Sequence, residues 1–296
     1  MSCRFDVVIL GAGAAGLFCA AEAGKRGRRV AVLESTERAG KKILISGGGR
    51  CNFTNIYCTP ETFLSANPHF AKSALARFTP ADFIALVEKY KIPYHEKTLG
   101  QLFCDHSAQE ITGLLEAECT TGGVKIFLNA QVREVTKTTE FTVRTDSEEF
   151  RAPVLVVATG GLSIPKMGAT AFGYDLAKQF GLKIQPTRPA LVPLILGKQG
   201  QEQYCELAGV SAEVIASVDG AAFREKMLIT HRGLRAGDFA DFVVLAARQS
   251  HHAGPGTRTR SRAGSATGKI SKFAGVGCGA AGQLAETLCG TLGGVA

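Results

Sequence analysis

Asp6–Gly16, DVVILGAGAAG, is the stretch on which the fold turns. Val7–Leu10 is a short run of β-favouring apolar residues. Gly11, Gly13 and Gly16 follow at GxGxxG spacing, with Ala14 and Ala15 between the last two, and Leu17–Ala23 continues in helix formers. Gly11 permits the tight strand-to-helix turn. Gly13 leaves room for a pyrophosphate to approach backbone, and Gly16 lets the helix press on the strand. The helix N-terminus offers free N–H groups and partial positive charge to phosphates. Val30–Leu33 reads as a second strand. Glu34 ends it eighteen residues after Gly16, where a carboxylate can accept hydrogen bonds from ribose hydroxyls. Strand, glycine turn, helix, second strand and terminal acid together point to a bound dinucleotide. The competing reading is a tight βα turn with no ligand.

Beyond this first β-α-β unit (1–34), residues 40–58 form a Gly- and Asn-rich loop region and 59–118 read as mainly helical. Thr79-Pro80 with Asp82 makes a helix start, and Phe83, Leu86, Val87 and Tyr90 recur at helical spacing. Ser107 and Glu110 match a capping box ahead of Ile111, Leu114 and Leu115. The period changes at 124–152, where 124–128, 132–135, 141–145 and 150–152 read as short strands of a meander. Val154–Ala158 suits a buried parallel strand returning to the first sheet, with Thr159-Gly160-Gly161 at its ligand edge. Gly173–Phe180 reads as a helix stopped at Gly181, and 191–196 and 210–218 as strands of a second, β-rich region.

The bulk numbers narrow the classes. A chain of 296 residues, 45% hydrophobic, supports two domains or one with an insertion. No signal-type segment precedes the first strand and no apolar run reaches the ~18 residues of a membrane span, so a soluble, cytoplasmic protein is expected. Nine scattered cysteines without a CxxC pair argue against a disulfide framework or zinc site. Half of the +8 net charge falls after Leu234, which gives a nucleic-acid partner little support.

The loop Ala39–Asn55, AGKKILISGGGRCNFTN, places three glycines beside Lys41, Lys42, Arg50, Asn52 and Asn55. Glycines free its backbone to approach a flat ring or a phosphate; the alternative is a flexible loop with solvated lysines. Taken with GAGAAG, Glu34, ATGGLSIPKMGATAFGYDLAKQFG, PALVPL and MLITHRGL, the chain resembles the BaiN-like (YhiN-like) NAD(P)/FAD-dependent oxidoreductases from Asp6 to about Leu234. The resemblance implies an α/β fold: an FAD-binding, Rossmann-like domain of glutathione-reductase type over 1–190, then the start of an inserted β-rich, substrate-side domain over 191–234. By position, it implies that Gly11, Gly13, Ala14, Ala15 and Gly16 hold the FAD pyrophosphate and Glu34 the adenosine ribose. It further implies that Gly48, Gly49, Arg50, Cys51 and Asn52 lie along the flavin side, that Lys42 is among the cofactor-binding residues, that Val132 meets adenine through its backbone, and that Thr159, Gly160 and Gly161 close over the dinucleotide. Cys51 and Cys58 flank six residues, where flavin dithiol reductases flank four, so a redox disulfide is not expected. His95, His106 and His231 show no triad or ligand spacing and read as structural.

After Leu234 the resemblance stops. Permitted codons for Leu234–Ala247, read from the second base, translate as SGPAILQISSYW, close to the family's own continuation. Residues 235–296 are therefore expected to be a non-family tail translated out of frame, without stable order beyond about 248. A divergent basic tail, with Arg258–Arg262 touching phosphates, is the alternative, and the gene's nucleotide sequence decides between them. The expected function is transfer of electrons from NAD(P)H through FAD to a small unsaturated or carbonyl-type organic acceptor. No side chain is assigned as acid or base and no metal is expected. A non-catalytic FAD- or nucleotide-binding remnant is the alternative, and a flavin-linked RNA-modifying enzyme is a third option on fold analogy alone. Neither the acceptor, nor NADH against NADPH, nor the oligomeric state is readable.

Overall fold

The computed structural model describes residues 2–63, 67–164, 167–187, 194–218, 221–236 and 272–275. The chain divides into two compact units, one of residues 1–63 with 67–186 and one of 64–66 with 187–296.

The first unit begins with β1 (Ser2–Arg4), β2 (Val7–Leu10), α1 (Ala14–Lys25), β3 (Val30–Leu33) and α2 (Lys41–Ile45). It continues through β4 (Asn52–Asn55), α3 (Lys72–Arg77), α4 (Pro80–Lys89), β5 (Tyr94–Thr98), β6 (Gln101–Cys104) and α5 (Gln109–Thr121). It ends with β7 (Lys125–Phe127), β8 (Val132–Lys137), β9 (Phe141–Thr145), β10 (Glu149–Ala152), β11 (Val154–Val157) and α6 (Phe172–Gln179). The central sheet is parallel, in the order β11-β2-β3-β7. Alternation along β2 and β3 sends Ile9, Val30 and Val32 to one face and Val8, Leu10, Ala31 and Leu33 to the other. The first face packs on α1 and α5 through Leu17, Ala20, Ile111, Leu114 and Leu115. The second packs on the sheet β1-β10-β9-β8 through Val135, Val143 and Phe150. Because both faces are covered, these strands are continuous apolar runs. The architecture is mixed α/β with a Rossmann-type FAD-binding domain.

Helix α1 lies tightly on α5, because a Cβ at Gly24 would strike the Gly122 carbonyl. The pair is tied by Glu118, only 2% exposed, which takes ion pairs from Lys25 and Lys89 and a hydrogen bond from the Tyr90 hydroxyl. Helix α4 starts as expected: Thr79 Oγ1 accepts from Asp82 N and Asp82 Oδ2 accepts from Thr79 N. At α5 only half of the expected box forms. Glu110 Oε2 accepts from Ser107 N, but Ser107 Oγ accepts from Gln109 N, one position too early.

Several expectations are corrected. Within 59–118, Tyr94–Thr98 and Gln101–Cys104 are strands, and with β4 they make a three-stranded sheet in the order β4-β6-β5. Their mixed polarity and short length hid them between helical stripes. Within 40–58 the chain is not all loop, since α2 and β4 lie there. Lys125–Phe127 pairs in parallel with β3 and leaves the meander to β8, β9 and β10. Strand β11 does pair in parallel with β2, but at the sheet's edge among the described residues, with Val154 and Val157 exposed.

The second unit holds β12 (Leu194–Ile195), α7 (Lys198–Tyr204), β13 (Ser211–Val218), β14 (Ala221–Thr230), β15 (Gly233–Ala236) and β16 (Lys272–Gly275). Its sheet is antiparallel in the order β12-β15-β14-β13-β16. Of the expected non-family tail, Arg235–Ala236 and 272–275 are strand, and the rest lies outside the described residues. No helix among the described residues is long and apolar enough to cross a membrane.

Candidate dinucleotide-binding site

The glycine turn is pinned from three sides. Gly11 N donates to Leu33 O (2.8 Å), Ala158 N to Leu10 O (2.8 Å), and Gly40 N to Ala12 O (2.9 Å). Gly11 has φ +100°, and a Cβ there would stand 2.6 Å from the Ala158 carbonyl oxygen. A Cβ at Gly16 would fall on the Gly11 carbonyl, so these two glycines are required by the fold itself. Gly13 differs. It is extended (φ −80°, ψ −175°), and a Cβ there would meet nothing within 4 Å. The space it leaves is open, and Gly13 caps α1 with no side-chain acceptor and no acid in the first turn. The first N–H groups of α1 therefore have no intrahelical or side-chain partner and face that space. This is the donor set of an anion site.

That space belongs to a groove of about 1050 Å³ along the C-terminal edge of β2, β3 and β11, the ligand edge of an open α/β sheet. Glu34 stands on its wall and is already part of the turn. Its Oε2 accepts from Ala12 N (2.8 Å), and its Oε1 accepts from Thr36 N (3.0 Å) and Thr36 Oγ1 (2.9 Å). Each carboxylate oxygen carries two lone-pair sites; those of Oε1 are taken, and Oε2, with Ala12 N alone, keeps one for a ribose hydroxyl. Lys42 reaches across the groove, donating to Ser163 Oγ (3.0 Å) and approaching Gly161 O (3.5 Å).

Of the residues picked from sequence, the groove wall contains Gly11, Gly13, Ala14, Ala15, Glu34, Lys42, Val132, Thr159 and Gly160. Gly16 lies behind it as a packing contact. Cys51 and Asn52 line a second, apolar pocket of about 510 Å³ with Phe18, Phe53, Phe78, Phe83, Ile111 and Leu115. This pocket shares Ala14, Ala15, Lys42 and Ile43 with the groove. Gly48, Gly49, Arg50 and Gly161 line neither. Within the glycine run only Gly47 is a packing contact, since a Cβ there (φ +56°) would be 2.6 Å from the Phe103 ring; a Cβ at Gly48 would meet nothing within 4 Å, and Gly49 O accepts from Ala108 N (2.7 Å). Sequence reasoning missed Ser35, Thr36 and Arg38 at one end of the groove, and Met167–Phe172 with Asp175 along its side. The second set arrives because α6 packs on β11's end, where a Cβ at Gly173 would be 2.6 Å from Thr159 Oγ1. The only sequence signal for it was the family-like segment 158–181.

The seven described cysteines that the structure places are free thiols. Burial raises Cys51, and burial first, then Cys51 nearby, push Cys104 up to about 12. Neutral thiols are poor nucleophiles. His95 Nδ1 pairs with Asp105 Oδ1 at 2.6 Å on an exposed surface, apart from both cavities. Among the described residues no group of three or more His, Cys, Asp or Glu could hold a metal ion.

Comparison with known proteins places the chain in a family. Residues 5–296 match the family described as HI0933-like protein, Rossmann domain. The chain is 54% identical over 233 residues to a ribosomal RNA dihydrouridine synthase of Escherichia coli (strain K12), covering 78% of this chain and 58% of that protein. It is 30% identical over 210 residues to a 3-dehydro-bile acid delta(4,6)-reductase of Clostridium scindens, covering 69% of this chain and 50% of that protein. Among solved structures, a 3-ketosteroid-delta4-(5alpha)-dehydrogenase from Rhodococcus jostii RHA1 aligns with a TM-score of 0.42 and 17% identity, over 54% of this chain and 47% of that one. The chain thus spans between half and three fifths of the length of these curated relatives.

Proposed function

This chain belongs to the HI0933-like Rossmann family, and from that membership we propose that it is the FAD-holding part of a reductase that adds hydride to a carbon–carbon double bond conjugated with a carbonyl. We take the acceptor to be uridine in ribosomal RNA and the electron donor to be NAD(P)H. The carrying observation is the open cradle at Gly13, where unpartnered N–H groups and vacant space meet on the ligand edge of the sheet. It fits a diphosphate. In this reading the first turn of α1 binds the diphosphate and Glu34 the ribose. Val132 lies by the adenine, and Lys42, Thr159 and Gly160 bound the groove beyond. Bound FAD supplies two-electron hydride chemistry at its N5. The chain's contribution is to grip, orient and exclude water; Phe18, Phe53 and Phe83 offer an apolar wall beside the diphosphate cradle.

The acceptor class rests on the relatives. A dihydrouridine synthase and a Δ4,6-reductase of a 3-oxo bile acid are named for the same bond change, saturation of an alkene conjugated with a carbonyl. The higher identity is to the RNA-modifying protein, which outweighs the small support that charge distribution gives nucleic acid. The test is a purified sample with bound yellow flavin, bleached by NADPH and reoxidised by a uridine-containing ribosomal RNA fragment that gains two hydrogens by mass. Bleaching without RNA reduction, but with reduction of a small enone, rejects the RNA acceptor and keeps the reductase. A second reading, a nucleotide-binding chain without turnover, is favoured by Gly48, Gly49 and Arg50 lining neither cavity. It predicts dinucleotide binding with no NADPH-dependent bleaching.

A further inference from the structure

Four residues border both the groove and the apolar pocket: Ala14, Ala15, Lys42 and Ile43. Lys42 is the charged one. Three of the other charged side chains on the groove wall already have partners. Glu34 accepts from Ala12 N and from Thr36, Lys41 pairs with Glu37 (3.1 Å), and Asp175 pairs with Lys178 (3.3 Å). Arg38, the last of them, belongs with Ser35 and Thr36 to the Glu34 end. Among the described residues the apolar pocket has no charged wall residue besides Lys42, because burial pushes the Cys51 thiol up and keeps it neutral. The base of Lys42 is anchored. Gly40 N donates to Ala12 O (2.9 Å), a Cβ at Gly40 would stand 2.8 Å from the Thr112 methyl, and Ile43 next to Lys42 is buried. Its tip has only neutral partners. Nζ donates to Ser163 Oγ (3.0 Å), approaches Gly161 O (3.5 Å), and would be 3.2 Å from a Cβ at Gly160. Lys42 forms no ion pair with a described residue. An ammonium has three donors, so at least one is left, and a hydroxyl and a carbonyl do not neutralise its charge.

We propose that Lys42 receives the negative charge that arrives on the flavin ring when NAD(P)H reduces it, and so raises the ring's reduction potential. This rests on the FAD-reductase reading above and names the side chain that serves its electron step. NAD(P)H gives up two electrons and one proton together and leaves as NAD(P)+, so the ring gains one unit of negative charge. A cation next to an apolar, low-dielectric wall favours the charged ring over the neutral one, and that difference is a rise in potential. The diphosphate has its own donors in the first turn of α1, which Gly13 leaves unpartnered. Lys42 differs from those N–H groups in facing both spaces at once, the groove and the pocket walled by Phe18, Phe53 and Phe83. A flat ring at that junction meets no other cation of the pocket wall among the described residues. The anchored backbone fixes where the charge is delivered, and the neutral partners of Nζ let it turn to a stronger acceptor without breaking an ion pair.

The experiment measures the midpoint potential of FAD bound to the full chain by equilibration with a reference dye, with FAD and ADP affinities measured by calorimetry in parallel. Lys42→Met is expected to make reduction about tenfold less favourable, a fall of roughly 30 mV for a two-electron couple. Its ADP affinity should equal the parent's, because ADP has no ring. Lys42→Arg keeps the charge and should keep the parent potential. For a variant that holds FAD weakly, the ratio of its affinities for oxidised and dithionite-reduced FAD gives the same quantity. A Lys42→Met potential equal to the parent's overturns the proposal. Equal weakening of FAD and ADP at an unchanged potential makes Lys42 a diphosphate contact, which also overturns it while the FAD site stands. A Lys42→Arg potential as low as that of Lys42→Met shows that shape and not charge matters, and overturns it too. A parent chain that binds no FAD, or whose bound FAD is not bleached by NADPH, fails the reductase reading itself, and the role of Lys42 falls with it.

Discussion

Gly13→Asp separates the ligand's grip from the fold's own needs. At Gly11 and Gly16 a side chain collides with backbone, so any loss of binding there is confounded by loss of structure. Gly13 is extended, with nothing within 4 Å of a Cβ, so an aspartate fits without strain. It also caps α1 better than glycine by a few tenths of a kcal/mol, and its charge at the helix N-terminus adds about 0.3–1 kcal/mol. The ligand-free variant should therefore unfold at equal or higher denaturant than the parent. Its carboxylate, however, takes the N–H groups and the space assigned to a diphosphate in the proposed function. Two like charges about 5 Å apart at an effective dielectric near 20 repel by roughly 3 kcal/mol, over a hundredfold in affinity. Titration calorimetry with FAD and with ADP measures this, and the penalty should shrink as salt rises. Gly13→Asn, of the same shape without the charge, should lose less. Unchanged FAD and ADP affinity in a well-folded Gly13→Asp sample would refute the assignment of the α1 N-terminus as the anion site.

Gly16→Ala puts a methyl group on the Gly11 carbonyl; a loss of about 1–3 kcal/mol in urea unfolding is expected, and an unchanged midpoint contradicts the close approach. Glu34→Ala removes the acceptor of Ala12 N as well as the proposed ribose acceptor, so dinucleotide affinity should fall about ten- to a hundredfold. Hydrogen exchange at the Ala12 amide should quicken even without ligand, and unaltered exchange denies the clamp. Glu118 governs acid stability: burial raises its pKa, but hydrogen bonds from Lys25, Lys89 and Tyr90 outweigh it and hold the group down to about 2 from an ordinary 4.5. A folded-state pKa below the unfolded one stabilises above the unfolded value and loses that gain as pH falls from about 4.5 to 2, here on the order of 3 kcal/mol. Glu118→Gln should flatten the acid limb of the stability curve, and an acid limb equal to the parent's rules the network out.

The cofactor turn was readable because its constraints are local. The Gly16–Gly11 contact and the Glu34–Ala12 hydrogen bond arise within about thirty residues of chain, so spacing expresses them, although the Ala158 carbonyl that also excludes a side chain at Gly11 does not. The far wall was not. Met167–Phe172 reach the groove only because α6 docks on Thr159, and Lys42 finds Ser163 across 121 residues. No periodicity records a meeting of that kind. The strands β5 and β6 were lost for a different reason: Tyr94–Thr98 is mostly polar and Gln101–Cys104 only four residues long, so neither establishes a period against the helices around them.

The phenylalanines show where pattern reading stops even when it is correct. Phe83 belongs to the helical stripe Phe83, Leu86, Val87 and Tyr90, whose spacing is that of a core-facing helix, and Val87 is fully buried as such a face requires. Yet Phe83 turns from the same stripe to line the apolar pocket with Phe18, Phe53 and Phe78. A stripe specifies that one face of a helix avoids water; it does not specify whether protein or ligand fills the space opposite. The two cases differ in shape, not in composition. A filled core reaches crystal-like packing density, whereas here about 510 Å³ stays open beside Lys42 and the first turn of α1. Four aromatic rings bordering an open volume next to an anion cradle are what an extended cofactor with a charged middle and a flat end requires. Neither the glycine turn nor the phenylalanine stripe implies that arrangement when read alone.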